Sequence, residues 1–140
     1  MKRFVDSNVF VYVLAADPHY GSRAREILRT IERGEEAITS TLVLAQVCSY
    51  LRWRKRFNVI PLFISSVLSI PSLSIHDTKL ADFERAMHIQ AELNLPWHMW
   101  DDMVIAAQME RLGVHEIYSN DRDFDRIPWV RRIFQHKSQK

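Results

Sequence analysis

The chain has 140 residues, of which 47% are hydrophobic and 26% are charged, and its formal net charge is +2. These values are typical of one globular domain and exclude an intrinsically disordered chain, while so small a net charge does not by itself indicate nucleic-acid binding. The single cysteine, Cys48, excludes both a disulfide within the chain and a four-cysteine zinc site.

The beginning of the chain and its apolar segments predict a cytoplasmic protein with no membrane association. Charged side chains follow Met1, and Asp6 interrupts the first apolar stretch, so residues 1–6 do not resemble a signal peptide. The longest apolar segments, 9–16 and 60–70, are shorter or more polar than the roughly 20 apolar residues that span a bilayer. Cys48 lies in an apolar run, as expected of a buried thiol in a reducing compartment.

Short apolar segments that alternate with helical patterns define the predicted fold. Strands are predicted at residues 3–6, 37–40, 72–76, 116–119 and 131–134. Amphipathic or apolar helices are predicted at residues 22–33, 41–56, 58–68, 78–93 and 102–112. This alternation predicts a three-layer α/β/α fold around a central, mostly parallel sheet of four or five strands. We expect a single domain over residues 1–135, followed by a polar C-terminal tail at 136–140.

Individual residues mark the predicted helix ends. Gly34 and Gly113 each follow an amphipathic stretch, where a left-handed conformation commonly ends a helix. Asp77 precedes the fourth predicted helix and is expected to cap its N-terminus.

Aspartates occur where the predicted strands end and where the last long helix begins. Asp6 closes the first strand, Asp101 and Asp102 open the helix, and Asp121 follows the fourth strand. In parallel α/β sheets, functional residues collect at the carboxyl ends of the strands, so these side chains are expected to meet. Clustered carboxylates repel one another unless a hard cation neutralises them, and Mg²⁺ or Mn²⁺ prefers oxygen ligands. The pattern predicts metal-assisted hydrolysis of a phosphodiester.

Each aspartate taken alone has a structural alternative. Asp6 could cap a following helix, and Asp101 or Asp102 could cap a helix that begins at Met103. Asp121 could form an Asx turn. The functional interpretation therefore depends on the joint placement of the carboxylates.

Three segments resemble the motifs of the PIN-domain family. Phe-Val-Asp-Ser-Asn-Val-Phe at residues 4–10 is similar to its first motif, and Asp-Met-Val-Ile-Ala-Ala-Gln at 102–108 to its third. Ser-Asn-Asp-Arg-Asp-Phe at 119–124 is similar to the fourth. Their order, their spacing and the chain length fit the family, and the resemblance covers essentially the whole chain.

This resemblance, strongest to the VapC-type toxins of toxin–antitoxin pairs, implies a Rossmann-like fold and an endoribonuclease that depends on Mg²⁺ or Mn²⁺. It also implies a homodimer that is inhibited by a small cognate antitoxin protein. By the same resemblance, Asp6, Asp102 and Asp121 match the catalytic carboxylates of the metal site.

Other positions match supporting residues of the family. Asn8 and Ser119 match polar residues that support the site, and Asp123 matches a position near the metals. The second motif departs from the family, because Gln46 stands where a glutamate is expected. An amide oxygen can still ligate a hard cation but carries no charge, so metal affinity should fall. Asp101 is the candidate to compensate, because it adjoins Asp102.

Two further function classes remain open alongside an active nuclease. The substitution at Gln46 favours a catalytically weakened PIN-fold protein that binds RNA or an antitoxin. An aspartyl phosphatase or phospho-receiver is disfavoured, because Ser7 and Asn8 follow Asp6 where those proteins have a second acid.

Two aromatic segments could contact RNA. Arg-Trp-Arg-Lys-Arg-Phe at residues 52–57 combines cations with aromatic rings, although cations also stabilise a helix C-terminus. Pro-Trp-His-Met-Trp at residues 96–100 could stack on bases, or could lie in the core or in a dimer interface. Arg122 and Arg126 flank the predicted acidic site and could contact phosphates.

Overall fold

Five parallel strands form the centre of the fold in a computed structural model that describes residues 2–135. The strands are β1 (Arg3–Val5), β2 (Ala37–Ser40), β3 (Leu73–His76), β4 (Glu116–Tyr118) and β5 (Arg131–Ile133). The α-helices are α1 (Ser7–Leu14), α2 (Gly21–Glu32), α3 (Thr41–Trp53), α4 (Val59–Leu68), α5 (Leu80–Leu93) and α6 (Trp100–Leu112). Two 3-10 helices cover Trp97–Met99 and Arg122–Arg126. All five predicted strands are confirmed, with bounds that differ by at most one residue at either end.

The strand order β3-β2-β1-β4-β5 reverses the direction of the chain at β1. The chain first adds β2 and β3 on one side of β1, and then returns to add β4 and β5 on the other side. Because parallel crossovers are right-handed, this reversal places α1 to α4 on one face of the sheet and α5 with α6 on the other. The helix contacts agree, since α1 packs on α2 and α3 whereas α5 packs on α6. The predicted three-layer α/β/α fold is confirmed.

Apolar side chains of the strands fill the space between the two helix layers. Phe4 of β1 is paired with Ile38 of β2 and with Ile117 of β4, and all three side chains are buried. In α6, every side chain from Met103 to Met109 is buried. Burial of each large side chain contributes about 1.5–3 kcal/mol. Since α6 is enclosed by its neighbours, its first turn is held in a fixed position beside the sheet.

Helix α1 is absent from the predicted helices, and the structure corrects that omission. Residues 9–14 are apolar, β-branched or aromatic, so the segment has no polar face and a low intrinsic helix propensity. Tertiary contacts override this preference, because α2 and α3 cover the apolar sides of the segment. Asp6 supplies the N-cap, with its side chain accepting a hydrogen bond from the backbone N–H of Ser7.

The helix ends agree with the sequence in part. Gly113 ends α6 with φ of +70°, and Gly34 follows α2 with φ of +122°, so both adopt the positive φ that was expected. Asp77 is not the N-cap of α5, which is Lys79 instead. The carboxylate of Asp82 accepts a hydrogen bond from the backbone N–H of Lys79 at 2.8 Å, and this bond fixes the helix start beyond Asp77.

Within residues 2–135, no helix is both long enough and apolar enough to cross a membrane. The predicted polar tail at 136–140 lies outside the described residues.

Candidate metal centre

Strands β1, β2 and β4 end at the same edge of the sheet, which is called here the carboxyl edge. From these ends the chain continues to Asp6, to α3 with Gln46, and to Asp121. Asp6 directly follows β1, and Asp121 lies three residues after β4, the strand paired with β1. The sheet order reverses between these two strands, and such switch points form the binding crevice of open α/β sheets. The backbone N–H of Asp6 donates to the carbonyl of Tyr118 at 3.0 Å, which joins the two strand ends.

Asp6 is held by a closed set of hydrogen bonds. One carboxylate oxygen accepts from the backbone N–H of Ser7 at 2.7 Å. The other accepts from the Asn8 amide at 3.1 Å and from the buried Ser119 hydroxyl at 2.6 Å. The Asn8 amide also donates to the Ser119 hydroxyl at 3.0 Å. The structure thus brings Asn8 and Ser119 against Asp6, and the capping alternative for Asp6 is also correct.

The carboxylate of Asp102 has no capping role. α6 begins at Trp100, two residues earlier than predicted, and its N-cap is Met99 with no side-chain hydrogen bond. Asp101 and Asp102 therefore lie within the first turn of α6, so the interpretation of either as its N-cap is wrong. The positive end of the helix dipole favours their charge at this position.

Asp102, Asp121 and Asp123 form what is called here the acidic cluster. One carboxylate oxygen from each lies within 4.8 Å of the others, and all three side chains are partly buried. Asp121 also accepts from the backbone N–H of Asp123 at 3.0 Å, so its predicted Asx turn is present. The turn therefore brings the carboxylates of Asp121 and Asp123, at the start of the second 3-10 helix, close to Asp102 of α6.

Burial and mutual repulsion perturb the acids of this edge. Burial, followed by the charges of Asp121, Asp6 and Asp123, raises the pKa of Asp102 to about 8. Burial likewise raises the pKa of Asp6 to about 6, although its hydrogen bonds from Ser119 and Ser7 favour the charged form. The acids therefore resist ionising together unless a positive charge lies among them.

Gln46 extends from α3 to the first turn of α6. Its amide nitrogen donates to a carboxylate oxygen of Asp101 at 2.8 Å. Its amide oxygen is shielded from solvent and accepts no hydrogen bond from the described residues. An unsatisfied buried carbonyl is costly, and it is a ligand type that hard cations accept.

The donor set fits one divalent cation such as Mg²⁺ or Mn²⁺. Oxygens that ligate one Mg²⁺ lie up to about 4.2 Å apart, because each Mg–O bond measures about 2.1 Å. Side-chain movements of less than about 1 Å would bring the oxygens of the acidic cluster within that span. The carboxylate of Asp6, predicted as a metal ligand, lies outside this group of three, although its charge acts on both Asp102 and Asp121.

Two residues near the site carry no role in the sequence-based prediction. The ring nitrogen Nε2 of His98 lies 3.2 Å from a carboxylate oxygen of Asp123. The backbone N–H of Asn120 donates to the side-chain oxygen of Asn8 at 3.2 Å. Asn120 lies inside the fourth motif and could have been included on that ground, whereas the contact of His98 depends on packing between distant segments.

The basic run at residues 52–57 lies far from this edge. α3 begins at the carboxyl edge and ends at Trp53, about 18 Å further along its axis. The guanidinium of Arg56 donates to the carbonyl of Leu14 at 2.7 Å, at the end of α1. This placement favours a helix-end role for the run, and its contact with RNA stays a prediction.

A parallel α/β sheet that gathers carboxylates from three chain segments at its switch point can hold a divalent cation, and such sites are suited to hydrolysis of phosphodiesters. The family model of the PIN domain matches residues 3–130. The chain therefore belongs to the PIN-domain family. A sequence search of curated proteins finds no match to the chain.

Solved structures with a similar fold come from several bacteria. VapBC2 of Rickettsia felis, bound to a DNA fragment from its promoter, has a TM-score of 0.73 at 20% identity and covers 95% of this chain and 98% of its own. VapC20 of Mycobacterium tuberculosis, a toxin that cleaves the sarcin–ricin loop, has a TM-score of 0.74 at 18% identity, covering 89% and 93%. DNA-bound VapBC of Salmonella typhimurium has a TM-score of 0.70 at 20% identity, covering 95% and 98%. At these identities the likeness is one of fold.

Proposed function

We propose that this protein is an endoribonuclease that depends on Mg²⁺ or Mn²⁺ and acts as the toxin of a toxin–antitoxin pair. The observation that supports this most is the acidic cluster at the switch point of a PIN-domain sheet. The fold neighbours are consistent with it, since VapC20 is a toxin that cleaves the sarcin–ricin loop and a further neighbour, from Klebsiella pneumoniae, is a toxin–antitoxin complex.

The chain's own residues have distinct tasks in this proposal. Asp102, Asp121 and Asp123 would hold the cation, and Asp6 would face it from β1. A bound divalent cation makes water more acidic and polarises a phosphate oxygen. Ser119 and the residues beside Asp6 orient that carboxylate, and the hydrogen bonds from Ser119 and Ser7 offset part of the rise in its pKa that burial causes.

Gln46 and Asp101 distinguish this site from the pattern of the family. The amide of Gln46 orients the carboxylate of Asp101 next to Asp102, so Asp101 supplies the charge that Gln46 lacks. In this arrangement the negative charge sits on an exposed side chain, where water screens it more than at the buried amide. We expect weaker metal binding than with a glutamate at position 46.

The partner of the protein would be a cognate antitoxin, with the toxin itself a homodimer. A groove of about 240 Å³ between α1, α2 and α4 is lined mainly by apolar side chains, among them Phe10, Leu28, Leu62 and Phe63. An amphipathic segment of an antitoxin would bury its apolar face in such a groove.

Cleavage of a labelled single-stranded RNA panel in Mg²⁺, in Mn²⁺ and in EDTA tests the nuclease function. The Asp121→Asn variant keeps the oxygen that accepts from Asp123, so it should fold normally and lose at least about 100-fold in rate. Asp125→Asn is the matched control, because Asp125 lies on the same 3-10 helix but pairs with Arg132 outside the acidic cluster.

The results separate the proposed nuclease from a binding protein. Cleavage that needs metal and is lost only in Asp121→Asn supports the nuclease. Cleavage in EDTA, or an active Asp121→Asn, contradicts it. The uncharged amide of Gln46, at a position where the family has a glutamate, favours the second candidate, a binding protein. That candidate predicts RNA or antitoxin binding with no cleavage by the wild type.

A further inference from the structure

An exposed tryptophan lies on the segment that leads into α6, in the turn before the helix that carries Asp102. Trp97 begins the 3-10 helix that runs directly into Trp100, and 62% of its surface is exposed. Met99, in the same turn, is fully buried and anchors the segment in the core. The segment is therefore fixed at its centre while its indole remains accessible.

A contact of the residue after Trp97 joins this segment to the candidate metal centre. The neighbouring His98 lies 3.2 Å from the carboxylate of Asp123 in the acidic cluster. The guanidinium of Arg126 lies 3.9 Å from the sulfur of Met99 and forms no ion pair with any residue among 2–135. A cation without an ion-pair partner among the described residues and an exposed aromatic ring thus lie on the two chain segments that carry the acidic cluster.

Ring contacts hold the indole of Trp97 in place. Its ring centre lies 6.1 Å from that of Trp100, at an interplanar angle of 41°. Trp100 in turn lies 6.3 Å from Phe83 of α5, at 33°. Both distances are within the range of favourable aromatic pairs. Trp97 is the outer member of this row, so one of its faces is available to a further ring at little cost in conformational entropy.

Resting on the proposed nuclease function, we propose that Trp97 stacks on one nucleobase of single-stranded RNA beside the acidic cluster, while Arg126 pairs with an adjacent phosphate. Bases of single strands are free to splay onto aromatic side chains, whereas those of a duplex are not. A guanidinium without a carboxylate partner suits a phosphate oxygen.

The charged surroundings favour RNA over a protein partner for this surface. Cores of protein interfaces are depleted of charged side chains, but His98, Asp123 and Arg126 surround the segment of Trp97. The other strongly exposed tryptophan, Trp53, already has the guanidinium of Arg54 at 5.8 Å from its ring centre. Trp53 also lies at the far end of α3 from the carboxyl edge, which makes it a matched control.

The test measures binding of a fluorescein-labelled 12-nucleotide single-stranded RNA by anisotropy in EDTA, for the wild type, Trp97→Ala, Trp97→Phe and Trp53→Ala. Trp97→Ala should bind about 5- to 150-fold more weakly, the usual effect of removing one stacked base. Trp97→Phe should recover part of the affinity, and Trp53→Ala should bind like the wild type. Circular dichroism checks that each variant is folded.

A set of RNAs with one abasic position each identifies the partner base. In the wild type, one or two abasic positions should weaken binding as much as Trp97→Ala does, and in Trp97→Ala the same positions should have no further effect. If abasic positions act equally in both proteins, stacking on Trp97 is overturned while the nuclease proposal stands. If the wild type binds and cleaves no RNA, the proposed function fails and the stacking role with it. If Trp97→Ala binds RNA normally but turns a dimer into a monomer in light scattering, the surface is a protein interface instead.

Discussion

Replacing Gln46 by glutamate should change the stability of the protein in opposite directions with and without metal. In the metal-free protein, the change removes the hydrogen bond from the amide to Asp101, a bond to a charged group worth about 1.5–3 kcal/mol. It also places two like charges about 4 Å apart, which costs about 1 kcal/mol in water and up to about 4 kcal/mol near a protein surface. Because Asp101 is exposed, the lower values apply, and we expect a loss of about 1–3 kcal/mol. For a chain of this size, that lowers the melting temperature by about 3–10 °C.

With metal present, the same glutamate should strengthen binding. If the added carboxylate tightens the site about tenfold, saturating Mn²⁺ stabilises the variant by about 1.4 kcal/mol more than the wild type. Thermal denaturation in EDTA and over a series of Mn²⁺ concentrations measures both effects in one experiment.

A matched control is Gln90→Glu, which also removes an amide donor but lies on α5, where Gln90 bonds to the carbonyl of Leu95. Its melting temperature should fall equally in EDTA and in Mn²⁺. If Mn²⁺ stabilises Gln46→Glu no more than the wild type, position 46 does not belong to the metal centre. If Gln46→Glu has the same melting temperature as the wild type in EDTA, the hydrogen bond from Gln46 to Asp101 is not formed in solution.

Two further predictions concern stability. The side chain of Asp82 is 2% exposed and accepts two hydrogen bonds of 2.8 Å from Arg111. Burial opposes its ionisation, but the bonds from Arg111 and from the Lys79 backbone prevail and hold the pKa of Asp82 below its usual value. Because the pKa of Asp82 is lower in the folded than in the unfolded state, its ionised carboxylate stabilises the fold at any pH above the unfolded pKa. At neutral pH, Asp82→Asn should therefore lower the free energy of unfolding, measured in urea, by about 1–3 kcal/mol. The loss is smaller than for a fully buried ion pair because Arg111 is partly exposed. The difference from wild type should vanish as the pH falls below about 4, and a constant difference would contradict the ion pair. Asp102→Asn should stabilise the metal-free protein by about 1–3 kcal/mol, because it removes a partly buried acid that Asp121 repels. The same variant should no longer be stabilised by Mn²⁺. A destabilised variant would show that the repulsion is already relieved in the wild type.

The strands and most of the acidic site could be predicted because both depend on local sequence. A short apolar run between turn residues is sufficient to locate a buried strand, and parallel strands bring their carboxyl ends to one edge. Asp6 directly follows β1, Asp121 lies three residues after β4 and Asp102 lies in the first turn of α6, so their gathering at the carboxyl edge could be predicted without a structure.

Other features depend on packing between distant segments and leave no local signal. α1 is helical only because α2 and α3 cover its apolar sides, since its composition favours a strand. The bond between Gln46 and Asp101 joins residues that are 55 positions apart, so the sequence could suggest compensation but not its geometry. The start of α6 at Trp100 likewise depends on the buried anchor Met99, and it is this start that removes Asp102 from any capping role.

The two ends of α6 differ in how the charges of their carboxylates are compensated, and this difference supports the proposed cation. At its C-terminal end, Arg111 pairs with the buried Asp82, so the chain itself supplies the compensating charge. At its N-terminal end, no lysine or arginine within residues 2–135 forms an ion pair with Asp102, Asp121 or Asp123. Grouped carboxylates with no lysine or arginine partner are costly. At the other end of the same helix the fold does provide such a partner, Arg111. The missing positive charge is therefore a specific feature of this edge, and a divalent cation bound among the three carboxylates would supply it.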